Sequence, residues 1–335
     1  MAEKCGGREQ MSDFSPSQFL SYCSTDALSD AAKVLKNGGL VAFPTETVYG
    51  LGADATNFAA VSRIYEVKGR PSDHPLIVHI SSLDGLGVWA REIPEYAIAL
   101  ARDFWPGPMT LVLLRSELAK DFITGGQDTV GVRVPAHALA LGLLHEFAKL
   151  GGLGIAAPSA NRFGQISPTT AKAVTEEIGE HLSSQDLILD GGPALVGVES
   201  TIIDCTGASP RILRPGAITD EMIFESTGIA LSDSGDAIRA PGSLESHYSP
   251  RAKVVLNAIP ELGEGYIAPA TIVTPAGVIR LASPSTNEEF ARDLYSALRS
   301  GDALGLSTIV VVAPEGEGLA IAIRDRLTRA ANEPI

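Results

Sequence analysis

Residues 39–80 read GLVAFPTETVYGLGADATNFAAVSRIYEVKGRPSDHPLIVHI. An apolar strand from Leu40 to Phe43 breaks at Pro44, and a hydroxyl-rich turn with Thr45, Thr47 and Tyr49 runs into the glycine pair Gly50 and Gly52. A short amphipathic helix then leads to Lys68-Gly-Arg70-Pro71 and to a second apolar strand ending in His79. Pro71 biases Arg70 away from helix, and residues two apart in an extended chain share a side. Lys68 and Arg70 are therefore expected to point the same way, beside a glycine that lets a ligand approach closely. Two fixed cations of this kind suit a polyanion; the same residues also read as solvated surface cations.

Composition bounds the rest. A chain of 335 residues exceeds one ordinary core and predicts two domains. With 45% hydrophobic and 20% charged residues it is globular in composition. A net charge of −14 argues against tight binding of DNA or RNA, so any anion must be met in a local basic pocket. The three cysteines, Cys5, Cys23 and Cys205, are scattered and form neither a zinc pattern nor a disulfide framework. No apolar stretch reaches membrane-spanning length and the N-terminus lacks an apolar signal core. The expectation is a cytoplasmic protein with no membrane partner.

Outside the central stretch, residues up to Ser24 read as a frayed tail. Helices are predicted over Asp26–Lys36, Tyr96–Phe104, Ala138–Lys149 and from Thr170 to Gly179. Strands are predicted over Met109–Leu114, Thr129–Val134, Leu187–Asp190 and Gly197–Asp204, and Ile212 to Gly216 repeats the cation-before-proline pattern of Arg70. In Thr129–Val134 the three valines take one face and Thr129, Gly131 and Arg133 the other. Arg133 beside a glycine can hold a carboxylate bidentately, or stand in water at a sheet edge. Gly152-x-Gly154-x-x-Ala157 follows a helix and opens none, so it is no dinucleotide fingerprint. From Phe224 to Pro250 the composition turns to Ser, Gly, Asp and Pro without periodicity and predicts a linker. Beyond it, strands at Lys253–Leu256, Thr271–Thr274 and Ser307–Val312 alternate with helices at Asn287–Arg299 and Gly318–Ala331, whose charges read as solvated faces. There is no HExxH, Gly-x-Ser-x-Gly or Walker sequence, and the six histidines show no metal spacing.

PTETVYGLG (Pro44 to Gly52), KGRP followed by PLIVHI (Lys68 to Ile80), FWPGPMTLVL (Phe104 to Leu113), VGVRVP (Val130 to Pro135), APSAN (Ala157 to Asn161), ESTIID (Glu199 to Asp204) and ILRPGAI (Ile212 to Ile218) resemble the YrdC/Sua5 family. The match covers about residues 26–222, and the remainder resembles the longer, two-domain Sua5 type. APGSLESHYSP departs mildly from the family, where a methionine commonly follows the glycine and HYAP closes the segment. The resemblance implies an α/β fold: a YrdC-like twisted, open mixed sheet with helices, plus a small Rossmann-like C-terminal domain. It divides the chain into a tail (1–25), a catalytic domain (26–222), a linker or lid (223–250) and a Sua5-type domain (251–335).

The resemblance also implies synthesis of L-threonylcarbamoyladenylate from L-threonine, bicarbonate and ATP, with release of pyrophosphate. This is the first step toward N6-threonylcarbamoyladenosine in tRNA, and the product passes to a tRNA threonylcarbamoyl transferase complex. By family matching the catalytic signature is Lys68, Arg70, Ser159 and Asn161. ATP would be held by Lys68, Arg70, Ser72, Thr129, Ser159, Ser167, Arg214 and His247. Threonine would be held by Thr45, Tyr49, His79, Arg133, Ala157 and Ser200. His247 and Tyr248 would belong to a lid, or merely pack one domain on the other. Mg2+ would ride on the phosphates with few protein ligands. Glu46 is expected to face away from the threonine amine, because carbamate formation needs the neutral amine and a nearby carboxylate favours the ammonium. Two other readings remain: a carbamoyltransferase module handling carbamoyl adenylate, which would use much the same pocket, and a non-enzymatic RNA- or ribosome-binding protein, against which the net charge of −14 argues.

Overall fold

A computed structural model describes residues 18–21, 25–235, 237–241 and 248–331. Its first part comprises β1 (Gln18–Ser21), α1 (Thr25–Lys36), β2 (Val41–Phe43), β3 (Gly50–Asp54), α2 (Phe58–Lys68), β4 (Ile77–His79), α3 (Leu86–Trp89), α4 (Glu95–Phe104) and β5 (Met109–Leu114). There follow α5 (Asp121–Thr124), β6 (Thr129–Arg133), α6 (Ala138–Lys149), β7 (Ile155–Ala156), α7 (Ala171–Ile178), β8 (Leu187–Asp190), β9 (Thr201–Asp204), β10 (Arg211–Arg214) and α8 (Asp220–Thr227). These strands form one sheet in the order β1-β8-β2-β3-β7-β4-β6-β5-β9-β10. Pairing mixes parallel contacts such as β4–β6 and β5–β9 with antiparallel ones such as β2–β3 and β5–β6. The expected mixed α/β sheet is present.

The second part holds β11 (Lys253–Leu256), β12 (Gly265–Ile267), β13 (Ile279–Ala282), α9 (Asn287–Ala303), β14 (Thr308–Val311) and α10 (Leu319–Ala331). Its four strands are all parallel, in the order β11-β14-β12-β13. This is the Rossmann-like unit, with one correction. Residues 271–274 are not a strand, and the two middle strands lie at 265–267 and 279–282. TIVT has the β-branched composition of a strand, yet three of its four residues are exposed and it has no sheet neighbour.

Two further segments depart from the sequence reading. Residues 18–21 pair in register with β8 instead of fraying. The glycine pair lies within β3: a Cβ on Gly52 would stand 2.6 Å from Ile155 and 2.8 Å from Phe43, so only glycine lets β2, β3 and β7 approach this closely. The linker's first residues close α8, whose N-cap Thr219 accepts from Met222 N–H and whose end is Gly228 in the left-handed region.

The two parts share a core. Val48, Ile166 and Val198 of the first pack with Tyr248 and with Phe290, Leu294, Tyr295 and Leu298 of α9. At Gly197 the two backbones come close: at φ +79°, a Cβ there would lie 2.3 Å from the Cα of Arg292. Gly197→Ala is therefore expected to lose about 2–4 kcal/mol, from a left-handed alanine and from overpacking. Thermal or urea unfolding checks it, and an unchanged midpoint would show that α9 does not press on this turn.

Candidate active site

A cavity opens between the loop joining β2 to β3, the end of β4, the turn after β7, the chain before β9, and the segment around Pro241 and Tyr248. Thr45 shapes its hydroxyl-bearing wall. Its Oγ1 donates to the Val48 carbonyl (2.6 Å), lies 2.8 Å from Thr47 Oγ1, and accepts from the backbone N–H groups of Thr47 and Val48. A side chain that caps its own turn holds an otherwise irregular segment in one shape.

Arg133 enters from the end of β6, beside its register partner His79 on β4. Its Nη2 donates to Glu46 Oε1 (2.6 Å) and Thr47 Oγ1 (3.0 Å), and its Nε to the Gly107 carbonyl (3.3 Å). Nη1 makes no hydrogen bond to a described residue. The other oxygen of Glu46 accepts the Ala136 N–H at 2.9 Å. Glu46 is thus occupied as the counter-ion of Arg133 and is not among the residues that line the cavity. His79 is buried, and burial together with the Arg133 charge depresses its pKa to about 3. The ring is neutral at physiological pH.

Lys68 is the last residue of α2, and Gly69 caps that helix in the left-handed region (φ +61°). The helix therefore runs through Lys68, and the two cations do not stand side by side on an extended chain. Only Arg70 lines the cavity. Lys68 is 2% exposed; its Nζ donates to the Ser159 carbonyl (2.6 Å) and to the Asn161 carbonyl. Burial, then the neighbouring Arg70, pulls its pKa well below the usual lysine range. Arg70 donates through Nη2 to the Pro75 carbonyl (3.0 Å), lies over the Phe163 ring, and is brought down to about 10 chiefly by burial.

Arg214 closes the third side. Its Nε and Nη2 donate to the Ser200 carbonyl (3.1 and 2.9 Å), and Nη1 to the Pro241 carbonyl (2.9 Å). Ser200 Oγ lies 2.8 Å from Thr110 Oγ1. Next to it, Glu199 accepts from Arg326 Nε at 2.8 Å and from the Tyr295 hydroxyl at 3.0 and 3.2 Å. Burial pushes this carboxyl up, but Arg326 and Arg214 prevail and hold it at about 2. Tyr248 is buried at the cavity, stacked on Tyr295 with ring centroids 5.7 Å apart.

Comparison with known proteins places this geometry. The family described as "Telomere recombination" (Sua5, YciO, YrdC) matches residues 33–216, and "Threonylcarbamoyl-AMP synthase, C-terminal domain" matches residues 218–332. The chain belongs to the Sua5/YrdC family. It is 44% identical to the threonylcarbamoyl-AMP synthase of Pyrococcus abyssi, over 90% of this chain and 93% of that one. It is 39% identical to the Bacillus subtilis enzyme of the same name, over 91% and 92%. The crystal structure of P. abyssi Sua5 complexed with L-threonine superposes with a TM-score of 0.84 at 41% identity, covering 93% of this chain and 96% of that one. A double alanine variant of the same Sua5 superposes with a TM-score of 0.83 at 39% identity, covering 94% and 96%.

Of the residues that the family resemblance singled out, Thr45, Tyr49, Arg70, His79, Arg133, Ala157, Ser159, Ser200, Arg214 and Tyr248 converge on this Sua5-type cavity. The Tyr49 hydroxyl is spoken for: it donates to the Gly192 carbonyl (2.8 Å) and accepts the Gly191 N–H (3.1 Å). Lys68 and Asn161 stand behind the wall, the Asn161 amide bracing the Arg162 and Gln165 carbonyls. Ser167 is buried beside Glu199 and helps to hold that carboxyl down. Ser72 is exposed outside the cavity, and Thr129 lines a separate small cleft with Gln127, Arg239 and Pro241. His247 lies outside the described residues. Glu199, Tyr295 and Arg326 carried no role in the sequence reading. Arg326 nonetheless falls three after Ile323 and four before Ala330, on the apolar stripe of α10.

Two measurements follow from these surroundings. Lys68→Ala leaves two carbonyls without their donor in a buried place, at about 1–3 kcal/mol for each unsatisfied group. Its melting temperature is expected to fall together with activity, unlike that of an exposed lysine. For His79, the depressed folded pKa means that the unfolded chain binds a proton the native state refuses. The stability this confers is complete above about pH 6.5 and drains as pH falls toward 3, by up to about 1.4 kcal/mol per pH unit. Unfolding midpoints of wild type should therefore drop faster than those of His79→Gln between pH 6.5 and 4.

Proposed function

We propose that this protein makes threonylcarbamoyl-AMP from L-threonine, bicarbonate and ATP, releasing pyrophosphate and water. The observation that carries the reading is the cavity itself: three buried arginines and a hydroxyl-bearing wall, in a protein of net charge −14 whose relatives, matched over more than nine-tenths of their own length, carry this enzyme's name. The threonine amine forms its N–C bond as bicarbonate loses water, and a carbamate oxygen then displaces pyrophosphate from the α-phosphorus. No covalent enzyme intermediate is required, so positioning and charge stabilisation suffice.

In this reading the threonine carboxylate meets Nη1 of Arg133, the donor that Glu46, Thr47 and Gly107 leave over. Thr45, Tyr49, His79, Ala157 and Ser200 shape the remainder of the amino-acid site, and the neutral His79 ring adds no second charge. Arg70, Ser159 and Arg214 face the phosphates, while Lys68 and Asn161 keep the Ser159 turn in place; Ser72, Thr129, Ser167 and His247 complete the nucleotide side. Mg2+ enters with the phosphates. Among the described residues no three acidic, histidine or cysteine side chains gather into a metal-binding group, and Glu46 and Glu199 are both engaged by arginines, which fits an ion carried by the nucleotide. Pro241 and Tyr248 both line the cavity, and exclusion of water there would protect the labile mixed anhydride. The product then passes to a tRNA threonylcarbamoyl transferase complex in the cytoplasm; no described helix is long and apolar enough to cross a membrane.

The decisive experiment is pyrophosphate release from ATP. It is expected to need both threonine and bicarbonate, with serine a poor substitute; release with ATP alone, or none with all three, would overturn the reading. Arg133→Lys is expected to weaken threonine binding by about tenfold or more, because one ammonium cannot serve Glu46, Thr47, Gly107 and a substrate carboxylate together. ATP affinity should stay within about twofold, and equal loss of both ligands would point to general damage at β6.

A further inference from the structure

We propose that Arg326 and Tyr295, on the helices of the C-terminal unit, are positioning residues for the nucleotide: they take up the charge of Glu199 and thereby leave that of Arg214 to the phosphates. The inference rests on the function proposed above. Glu199 is a cavity residue, 5% exposed, and it immediately precedes Ser200, whose carbonyl holds Arg214 through two hydrogen bonds. A buried carboxylate must have a counter-charge close by. Among the described residues two guanidinium groups act on it, Arg326 and Arg214, and of the two only Arg326 is in contact.

The contact is well built. Arg326 is fully buried on α10; Nε reaches Glu199, Nη2 donates to the Pro215 carbonyl at 3.0 Å, and Nη1 is paired with Asp325. Tyr295 of α9 donates to the same carboxylate. Among the described residues Arg214, in contrast, touches only oxygens that carry no net charge: the Ser200 and Pro241 carbonyls and Ser200 Oγ. Neutral oxygens orient a guanidinium without cancelling its charge, whereas a carboxylate would cancel it. Without Arg326, the Glu199 charge would fall to Arg214, and the cavity would lose one unit of positive potential where phosphates are to bind.

The test uses the full chain, with equilibrium affinities for ATP and for threonine measured by calorimetry. Product formation by wild type is checked first: no threonine-dependent pyrophosphate there sinks the functional reading, while failure of the present inference shows only in the variants. Arg326→Gln is expected to weaken ATP about tenfold, the scale of one charged contact, and threonine by less than twofold. Adding Glu199→Gln removes the stranded charge and should bring ATP back to within about threefold of wild type. Equal weakening of both ligands, or no recovery in the double variant, would mean that Arg326 merely holds the fold. Should Arg326→Gln not fold, Tyr295→Phe carries the test: ATP two- to threefold weaker with threonine unchanged supports the inference, and unaltered ATP affinity overturns it.

Discussion

A guanidinium or ammonium group withdrawn from water keeps its charge only if its donors find oxygens. That requirement runs through this molecule. Arg70, Arg133, Arg214, Arg326 and Lys68 are all less than a tenth exposed, and the desolvation of such ions costs several kcal/mol each unless it is offset. The chain offsets it by bringing distant segments to them: Ser159 and Asn161 to Lys68, Glu46 and Gly107 to Arg133, Ser200 and Pro241 to Arg214, Glu199 and Pro215 to Arg326. The cavity is the space around which these compensations are arranged.

The partners fall into two kinds, with different consequences. Arg133 and Arg326 face carboxylates, so each pair is close to neutral. Lys68, Arg70 and Arg214 face carbonyls, which fix direction and leave the charge in place. The cavity therefore has a nearly neutral corner at Arg133, suited to an amino acid that carries both signs, and a cationic side at Arg70 and Arg214, suited to phosphates. The net charge of the whole protein is −14, so this cationic side is a local exception to its overall sign.

Much of this was legible in the chain. Met109–Leu114, Ala138–Lys149 and Leu187–Asp190 are found at the boundaries their patterns predict, because long apolar runs between breakers leave little choice. The valine alternation puts Arg133 opposite the core, as it must with a period of two. Errors arose where a local signal competed with a tertiary contact. Residues 18–21 resemble a polar tail, but they pair with β8 at the edge of the sheet. Residues 271–274 resemble a strand without a neighbour to pair with. Arg326 was read as solvated because arginine usually is, although its place on the apolar stripe of α10 already marked it.

The sequence by itself determined the family, the α/β class, the two-part organisation and the set of hydroxyl and cationic residues from which a site could be made. All of these depend on local pattern and motif order, which a linear chain displays. Only the tertiary structure decided what each cation does. Lys68 and Arg70, two residues apart, diverge because Gly69 ends a helix between them. Arg214 and Arg326, 112 positions apart, come to share one carboxylate's field. Compensation of a buried charge depends on distances of about 3 Å between segments far apart in the chain, and no spacing along the sequence encodes them.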